Sequence, residues 1–257
     1  MLKTELQAIY IMWLRQMKRY FRSRGRIIGS IVQPLFFLVI LGSGFRTLEM
    51  SMIEGDYLIF LAPGIVTMSI LFSSLFTGIS ILWDKQFGFL QEVLVAPISR
   101  ISIVVGRTLG GTTTALIQGF IILAIAVALK VPITNIFGFI LTIILMILVA
   151  FTAVGFGLIL ASKMEDFQGF QIIMNLIFMP LLFLSGAFFP IANNKGMPAI
   201  IQQVAYFNPL FYMVDGIRGS LTGVNNVLDP LQNLGILLAI ATIMIFIGSY
   251  MFSKSEV

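Results

Sequence analysis

The chain has 257 residues, 58% of them hydrophobic and 11% charged, with a mean hydropathy of +1.02 and a formal net charge of +5. A soluble domain has about 25% charged residues, and a soluble fold of this length would need a larger core than it can bury, so we expect an all-α integral membrane protein. Cysteine and histidine are absent from the sequence, which excludes disulfides and thiolate nucleophiles and removes the commonest metal ligand and general base.

The first predicted element is an amphipathic helix within residues 1–26. Apolar side chains recur there at three- and four-residue steps, while a second face carries cations. Such a helix is typical of the membrane interface, with its cations near anionic lipid headgroups; a generic basic flank that only sets topology is the alternative. The predicted membrane-interface residues are Trp13, Arg15, Lys18, Arg19 and Arg22.

Six uncharged stretches follow that are long enough for a membrane helix, which needs about 20 apolar residues. The predicted spans cover residues 27–45, 57–83, 108–129, 136–161, 168–187 and 231–252. A further uncharged stretch, 196–214, is divided by Pro198, Asn208 and Pro209 into pieces too short to cross. We expect short helices there that dip into or lie on the membrane, within an extracellular re-entrant region at 188–226. A seventh span is the alternative.

Between the second and third spans the chain returns to water through a short amphipathic helix. Residues 83–100 read W-D-K-Q-F-G-F-L-Q-E-V-L-V-A-P-I-S-R. The residues on the apolar side of this helix are Phe87, Leu90, Val93 and Leu94. Pro97 ends the helix before the next apolar run. The segment is more elaborate than a simple turn requires, and we expect its apolar side to contact another protein.

Lysine and arginine are distributed unequally over the loops that six spans define. Twelve lie on the side of the two termini and the amphipathic segment, against four on the opposite side. Because cytoplasmic loops are enriched in these residues, both termini are predicted to be cytoplasmic, in a multi-pass protein of the cell membrane. The same distribution explains the net positive charge without a nucleic-acid partner.

Candidate catalytic groups are sparse in this sequence. Neighbouring acids such as Glu165 and Asp166 lie in short loops, where a solvated surface is the ordinary explanation, so we expect no catalytic residue and no metal site. No predicted span carries an ionisable residue near its middle, which argues against ion-coupled transport. Gln171 and Asn175 lie four residues apart in the fifth span, where they either bond between helices or line, with Phe178, a substrate path.

Three stretches resemble the ABC-2 type permease family, in particular its daunorubicin/doxorubicin-resistance and nodulation-type exporter permeases. Residues 78–100 are similar to that family's loop after the second span. The second stretch is F-L-S-G-A-F-F-P at 183–190, and the third is N-P-L-F-Y, then five residues and an arginine, at 208–218. Their order and spacing agree with the family over essentially the whole chain.

The resemblance implies a permease subunit of an ATP-driven ABC exporter, with six helices per subunit and an interfacial N-terminal helix. It implies a second permease copy, as a homodimer or a heterodimer, and two copies of an ATP-binding subunit. The sequence has no G-x-x-x-x-G-K-[ST] phosphate loop, so we expect ATP and magnesium on that partner and no cofactor in this chain.

In that family the loop after the second span acts as a coupling helix that docks on the ATPase. The ATPase-coupling residues that the resemblance implies here are Asp84, Phe87, Phe89, Leu90, Glu92, Val93, Leu94, Pro97 and Arg100. Alternatively, Glu92 and Arg100 only hold the loop on its own membrane domain.

The resemblance also implies a fifth helix that is split at its outer end and forms an extracellular gate. The gate residues would be Ser185, Gly186, Phe189, Pro190, Pro209, Tyr212 and Arg218. Asp215 and Arg218, three residues apart, are expected to pair with each other. An apolar path favours efflux of a hydrophobic or amphipathic substrate, such as a drug-like molecule (as in multidrug resistance) or a lipid. A polysaccharide or glycolipid exporter, and a non-transporting membrane scaffold or channel, are the alternatives.

Overall fold

The computed structural model describes residues 2–45, 53, 55–88, 98–164, 166–192, 194 and 196–254, and within them the chain forms helices and no strand. The helices are α1 (Leu2–Arg22), α2 (Arg24–Phe36), α3 (Tyr57–Gln86), α4 (Arg100–Ala128), α5 (Ile136–Lys163), α6 (Phe167–Phe183), α7 (Ala199–Tyr206), α8 (Pro209–Leu221) and α9 (Pro230–Lys254). After Phe36, α2 continues through a π-helical stretch, Phe37–Leu41, into a last turn, Gly42–Gly44.

Short polar side chains cap the first turns of several helices. The capping residues are Ser99 for α4, Asn135 for α5, Asp166 for α6 and Asn208 for α8, and each accepts a hydrogen bond from a backbone N–H of the first turn. These caps satisfy donors that a helix start leaves without a partner. In α8 the cap is followed by Pro209, whose fixed φ and missing N–H suit the first helical position.

Five helices in the described part of the chain are long and apolar enough to cross a membrane. Their spans are Ile27–Gly44, Tyr57–Asp84, Arg100–Ala128, Ile136–Lys163 and Pro230–Met251. This confirms the predicted all-α membrane fold. The sixth predicted crossing corresponds to α6, which has 17 residues and a length of about 25 Å, against a hydrocarbon core of about 30 Å. That crossing stays a prediction.

The start of the third helix differs from the prediction. We expected the third span to begin at residue 108, after the charge of Arg107, whereas α4 begins at Arg100. Arg107 is buried and paired with Asp84, so its charge does not have to reach water and the helix continues past it. The helix therefore extends eight residues before the predicted start of the span, and where it enters the membrane stays a prediction.

The stretch 196–214 forms two short helices. α7 has eight residues and α8 has 13, and the chain turns between them at Phe207 and Asn208. Neither helix reaches the roughly 20 residues of a membrane span. α8 is buried in the protein, with Val214 and Ile217 fully covered.

The centre of the bundle is α3, which packs against α4, α5 and α8. It is apolar on nearly every side, as expected for a helix surrounded by other helices, and Leu61, Ile65 and Ile81 are fully buried. Asp84 lies in its last turn and Phe60 in its first, about 36 Å apart along the axis. Since that distance exceeds the hydrocarbon thickness, the two ends of α3 lie at opposite membrane surfaces.

Candidate functional site

Within the described part of the chain, the most concentrated set of charges surrounds Asp84 at the end of α3. Arg15 donates to both carboxylate oxygens, from Nη1 to Oδ2 at 3.0 Å and from Nη2 to Oδ1 at 2.8 Å. Arg107 Nη2 lies 2.9 Å from Oδ2. Arg19 Nη1 lies 3.5 Å from Oδ1 and donates to Ser80 Oγ at 3.0 Å. The Asp84 residue is 4% exposed, so one buried acid joins cations from α1 and α4.

This cluster fastens α1 to the bundle. Bidentate arginine–carboxylate pairs are geometrically specific and stronger than neutral hydrogen bonds. Arg19 also lies over the ring of Trp83, 5.1 Å from its centroid, and Trp83 stacks on Phe167 at 6.1 Å. The same end of α3 therefore contacts α1, α4 and the start of α6.

A second contact joins α1 to the start of α4. The Glu5 carboxylate accepts hydrogen bonds from the Ser99 backbone N–H at 3.1 Å and from Ser99 Oγ at 2.8 Å. Ser99 Oγ at the same time caps α4 by accepting from the Ser102 N–H at 3.1 Å. Hydrogen bonds from Ser102 and Ser99 lower the pKa of Glu5, so these bonds are present at neutral pH and are lost as the pH falls through that lowered pKa.

The contacts of Asp84 and Ser99 attach both ends of the predicted amphipathic segment to α1. Asp84 and Ser99 flank the predicted amphipathic segment, and both bind α1, through Arg15 and Glu5 respectively. Glu5 and Arg15 are about 15 Å apart along α1. The residues that flank the segment are therefore attached to α1 at two points. We call this arrangement, made by Glu5, Arg15, Arg19, Asp84, Ser99 and Arg107, the α1 clasp.

The predicted coupling residues divide into three groups. Asp84 points inward, into the α1 clasp, where we expected a residue that faces a partner. Phe87 is 82% exposed just beyond α3, and Arg100 is exposed in the first turn of α4. Six more residues lie outside the described part of the chain, namely Phe89, Leu90, Glu92, Val93, Leu94 and Pro97.

The predicted interface residues are also divided. Arg15 and Arg19 were expected near lipid headgroups, but the structure places them on Asp84, because a buried carboxylate is the stronger partner. Trp13 Nε1 donates to Thr113 Oγ1 on α4 at 3.1 Å. Lys18 and Arg22 are exposed. In α1 the side that packs on the bundle includes Met12, Met17 and Tyr20, so α1 lies on α4 as well as facing outward.

Sequence reasoning missed Arg107, Glu5 and Ser99 as members of the α1 clasp. Arg107 carried a usable signal, since a lone cation within an apolar helix is expected to have a buried partner. Glu5 and Ser99 carried none, because their sequence separation is 94 residues and neither residue type is unusual at its position.

At the opposite end of α3, the predicted gate residues pack around a turn after α6. Ser185 and Gly186 are buried, and Gly186 has a φ of +75°, which glycine adopts without strain. Arg218 Nη2 donates to the Gly186 carbonyl at 2.7 Å and its Nε donates to the Phe60 carbonyl at 3.2 Å. Arg218 thus joins the turn to the first residues of α3.

The other gate residues lie around this turn. Phe189 is 45% exposed, Pro190 is half-buried and Pro209 begins α8. Tyr212 donates to the Tyr206 carbonyl at 2.6 Å, which joins α8 to α7. Whether these residues move as a gate stays a prediction.

Asp215 and Arg218 do not pair as expected. Asp215 accepts hydrogen bonds from the backbone N–H groups of Val227 and Leu228, at 2.7 and 2.9 Å, and from Asn233 Nδ2 at 2.9 Å. Among the described residues no salt bridge joins it to Arg218. The carboxylate is turned instead towards the loop after α8, which it holds in place.

The predicted path residues on α6 differ in burial. Gln171 and Asn175 are exposed, together with Ile172 and Leu176, whereas Phe178 is buried and packs edge-on against Phe156 at 5.1 Å. The two amides accordingly lie on the side of α6 that this chain leaves uncovered, and Phe178 belongs to the core.

Comparison with known proteins matches the chain to one family of membrane transporters. The family model described as ABC-2 type transporter matches residues 7–222. The chain is similar to the inner membrane transport permease YadH of Escherichia coli K12, at 23% identity over 86% of this chain and 85% of the relative. It is also similar to nodulation protein J of Rhizobium leguminosarum bv. trifolii, at 27% identity over 87% of this chain and 84% of the relative.

Proposed function

Because the chain belongs to the ABC-2 type transporter family, we propose that it is the multi-pass permease subunit of an exporter that is driven by ATP hydrolysis on a separate subunit. ATP and magnesium would be held by that subunit, present in two copies, on the cytoplasmic side. The excess of lysine and arginine on the side of both termini and of residues 84–100 supports this orientation.

The α1 clasp is the observation that carries this proposal. A segment that only connects two spans needs no attachment to a third helix, yet residues 84 and 99 are both bound to α1. An ATP-driven movement of the segment would displace α1 together with the adjoining ends of α3 and α4. Exposed Phe87, directly after α3, supports a protein contact at this position.

A second permease copy is part of the proposal. The uncovered face of α6 carries Gln171 and Asn175 among apolar residues. An amide that faces lipid has no hydrogen-bonding partner there and costs free energy. A second copy of this chain, or a substrate path between two copies, would supply that partner. Since such a path is apolar apart from these amides, we propose a hydrophobic or amphipathic substrate moved outward, such as a drug-like molecule or a lipid.

Reconstitution tests the transport proposal. The affinity-tagged chain, purified in mild detergent from its native membranes, should retain an ATP-binding subunit and hydrolyse ATP. In liposomes the same preparation should concentrate a fluorescent amphipathic dye in the presence of ATP and magnesium, and not with a non-hydrolysable analogue. A monodisperse preparation that neither hydrolyses ATP nor moves dye would contradict the proposal.

Replacing residues 87–94 by a glycine–serine linker of equal length is expected to remove the bound ATP-binding subunit and all ATP-driven dye transport. The reason is that the linker deletes exposed Phe87 and the predicted apolar side of the segment, while the residues of the α1 clasp are kept. The helical circular dichroism signal should fall by no more than the contribution of the eight replaced residues. As a control, Ile136→Ser/Phe137→Ser removes exposed apolar residues at the other membrane surface and should preserve the complex. Equal loss in both variants would refute a specific docking role.

Replacing Glu5 by alanine is expected to speed amide hydrogen exchange in residues 99–102 several-fold at neutral pH. The Ser99 N–H and hydroxyl lose their acceptor, while the cap of Ser99 on Ser102 remains. Gln7→Ala, at an exposed position of the same helix, is the matched control and should leave the exchange unchanged. Identical exchange in the two variants would show that Glu5 does not hold the start of α4.

A further inference from the structure

A cavity of about 400 Å³ lies at the end of α3 that is remote from Asp84. Its walls are Phe60, the turn at Gly186, residues 190–192, Phe211 and the loop 223–227. This volume falls within the range of small-ligand sites, roughly 300–1,000 Å³. Among the described residues that line the cavity, Arg218 is the one charged side chain.

The hydrogen bonds of Arg218 leave donors without acceptors. Its Nε and Nη2 bind the carbonyls of Phe60 and Gly186, and its guanidinium carbon lies 3.9 Å from the centroid of the Phe60 ring. Within the described part of the chain Nη1 has no hydrogen-bond acceptor. A guanidinium has five N–H donors and keeps its charge in proteins. The side chain is therefore fixed on two sides, with donors that remain available to the cavity.

Among the described residues no carboxylate forms an ion pair with Arg218. Carbonyl groups are dipoles without net charge, and the oxygens of Asp215 are occupied by Val227, Leu228 and Asn233. Arg218 is 4% exposed. Asp215 acts on Arg218 only through longer-range electrostatics. Since a buried cation without a direct ion pair costs several kcal/mol in folding free energy, a bound anion would stabilise this arrangement.

We propose that this cavity binds a phosphate group, with Arg218 as the residue that recognises it. Arginine suits phosphate because its planar N–H groups match the spacing of two oxygens. The phosphate could be carried by an anionic lipid headgroup, which the position at a membrane surface favours, or be free in solution. This binding is a property of the single chain and does not rest on the proposed export function.

The test uses the full chain purified in dodecyl maltoside, with its thermal unfolding midpoint followed by tryptophan fluorescence. Wild-type protein is titrated separately with dioleoylphosphatidylglycerol, with neutral dioleoylglycerol and with inorganic phosphate. We expect the midpoint to rise with phosphatidylglycerol and not with dioleoylglycerol. A rise with inorganic phosphate as well identifies free phosphate as a ligand, whereas a rise with the lipid alone identifies the headgroup.

Pairs of variants that differ only in the charge of one residue lining the cavity test whether phosphatidylglycerol binds there. Val224→Glu places a carboxylate beside Arg218 and should weaken phosphatidylglycerol binding about tenfold or more, whereas Val224→Gln, of the same shape, should bind like wild type. Ala192→Glu and Ala192→Gln repeat the comparison from another wall residue. The proposal is overturned if no phosphate probe raises the midpoint, or if the Glu and Gln variants respond alike, since the lipid would then act elsewhere, for example on the basic α1.

Discussion

Asp84→Ala is expected to abolish ATP-driven transport and to destabilise the purified chain by about 3–5 kcal/mol, the usual result of removing one partner of a buried ion pair. Asp84 is the acid that Arg15, Arg19 and Arg107 share at 2.8–3.5 Å. Arg15 and Arg19 can turn to water, because their side chains are about one third exposed, but that of Arg107 is only 6% exposed. The cost of the substitution therefore falls mainly on Arg107.

A double substitution separates stability from transport in this prediction. Asp84→Leu/Arg107→Leu removes the buried charges together and should recover most of the lost thermal stability. It should not recover transport, because Arg15 and Arg19 still lack the carboxylate that fastens α1. Lys18→Ala, an exposed cation of the same helix, is the control and should behave as wild type. Full dye transport by Asp84→Ala would eliminate the clasp as a route of coupling.

Gly155→Leu is expected to prevent assembly of the helix bundle, with little monodisperse protein recovered by size-exclusion chromatography. α5 and α9 touch through their backbones at this point. A Cβ atom on Gly155 would lie 2.8 Å from the Met244 carbonyl carbon, and one on Gly248 would lie 2.7 Å from the Gly155 oxygen. Backbone atoms cannot rotate aside, so the helices must separate. Overpacking typically costs about 1–3 kcal/mol, and we expect a value above that range.

The matched control for this prediction lies on the same pair of helices. A Cβ atom on Gly235 of α9 would meet no atom within 4 Å, and the residue is exposed. Gly235→Leu should therefore purify like wild type and differ little in unfolding midpoint. If Gly155→Leu also purified normally, the close approach of α5 and α9 would not be essential to the fold.

The helical architecture could be predicted from the sequence for two reasons. A helix that crosses the membrane needs a long uncharged stretch, and short polar residues cap the first turns of helices. The second and fourth predicted spans lie within a few residues of α3 and α5. The difference at Arg107 between the predicted span and the observed helix has a physical origin. A hydropathy argument treats every charged residue as lying in water. It contains no information on tertiary pairs, such as the ion pair of Arg107 with Asp84, 23 residues earlier, inside the protein.

The candidate site was less predictable for a related reason. The spacing of Asp215 and Arg218 suits a helical pair. Asp215 instead accepts from two backbone N–H groups of the loop after α8 and from Asn233 of α9. Similarly, the cations of α1 have a pattern that suits lipid headgroups. Only the packing of α1 against α3 and α4 reveals that two of them bind a protein carboxylate.

The α1 clasp also bears on how such a permease can change its partner. Its attachment residues lie in α1, at the end of α3 and at the start of α4, on either side of the predicted amphipathic segment. The amphipathic segment thus lies between two points at which the chain is attached to α1. Under the proposed function, substitutions on the surface of this segment can change which ATP-binding subunit it contacts while the attachment residues stay the same. The choice of partner and the helix bundle can then evolve independently.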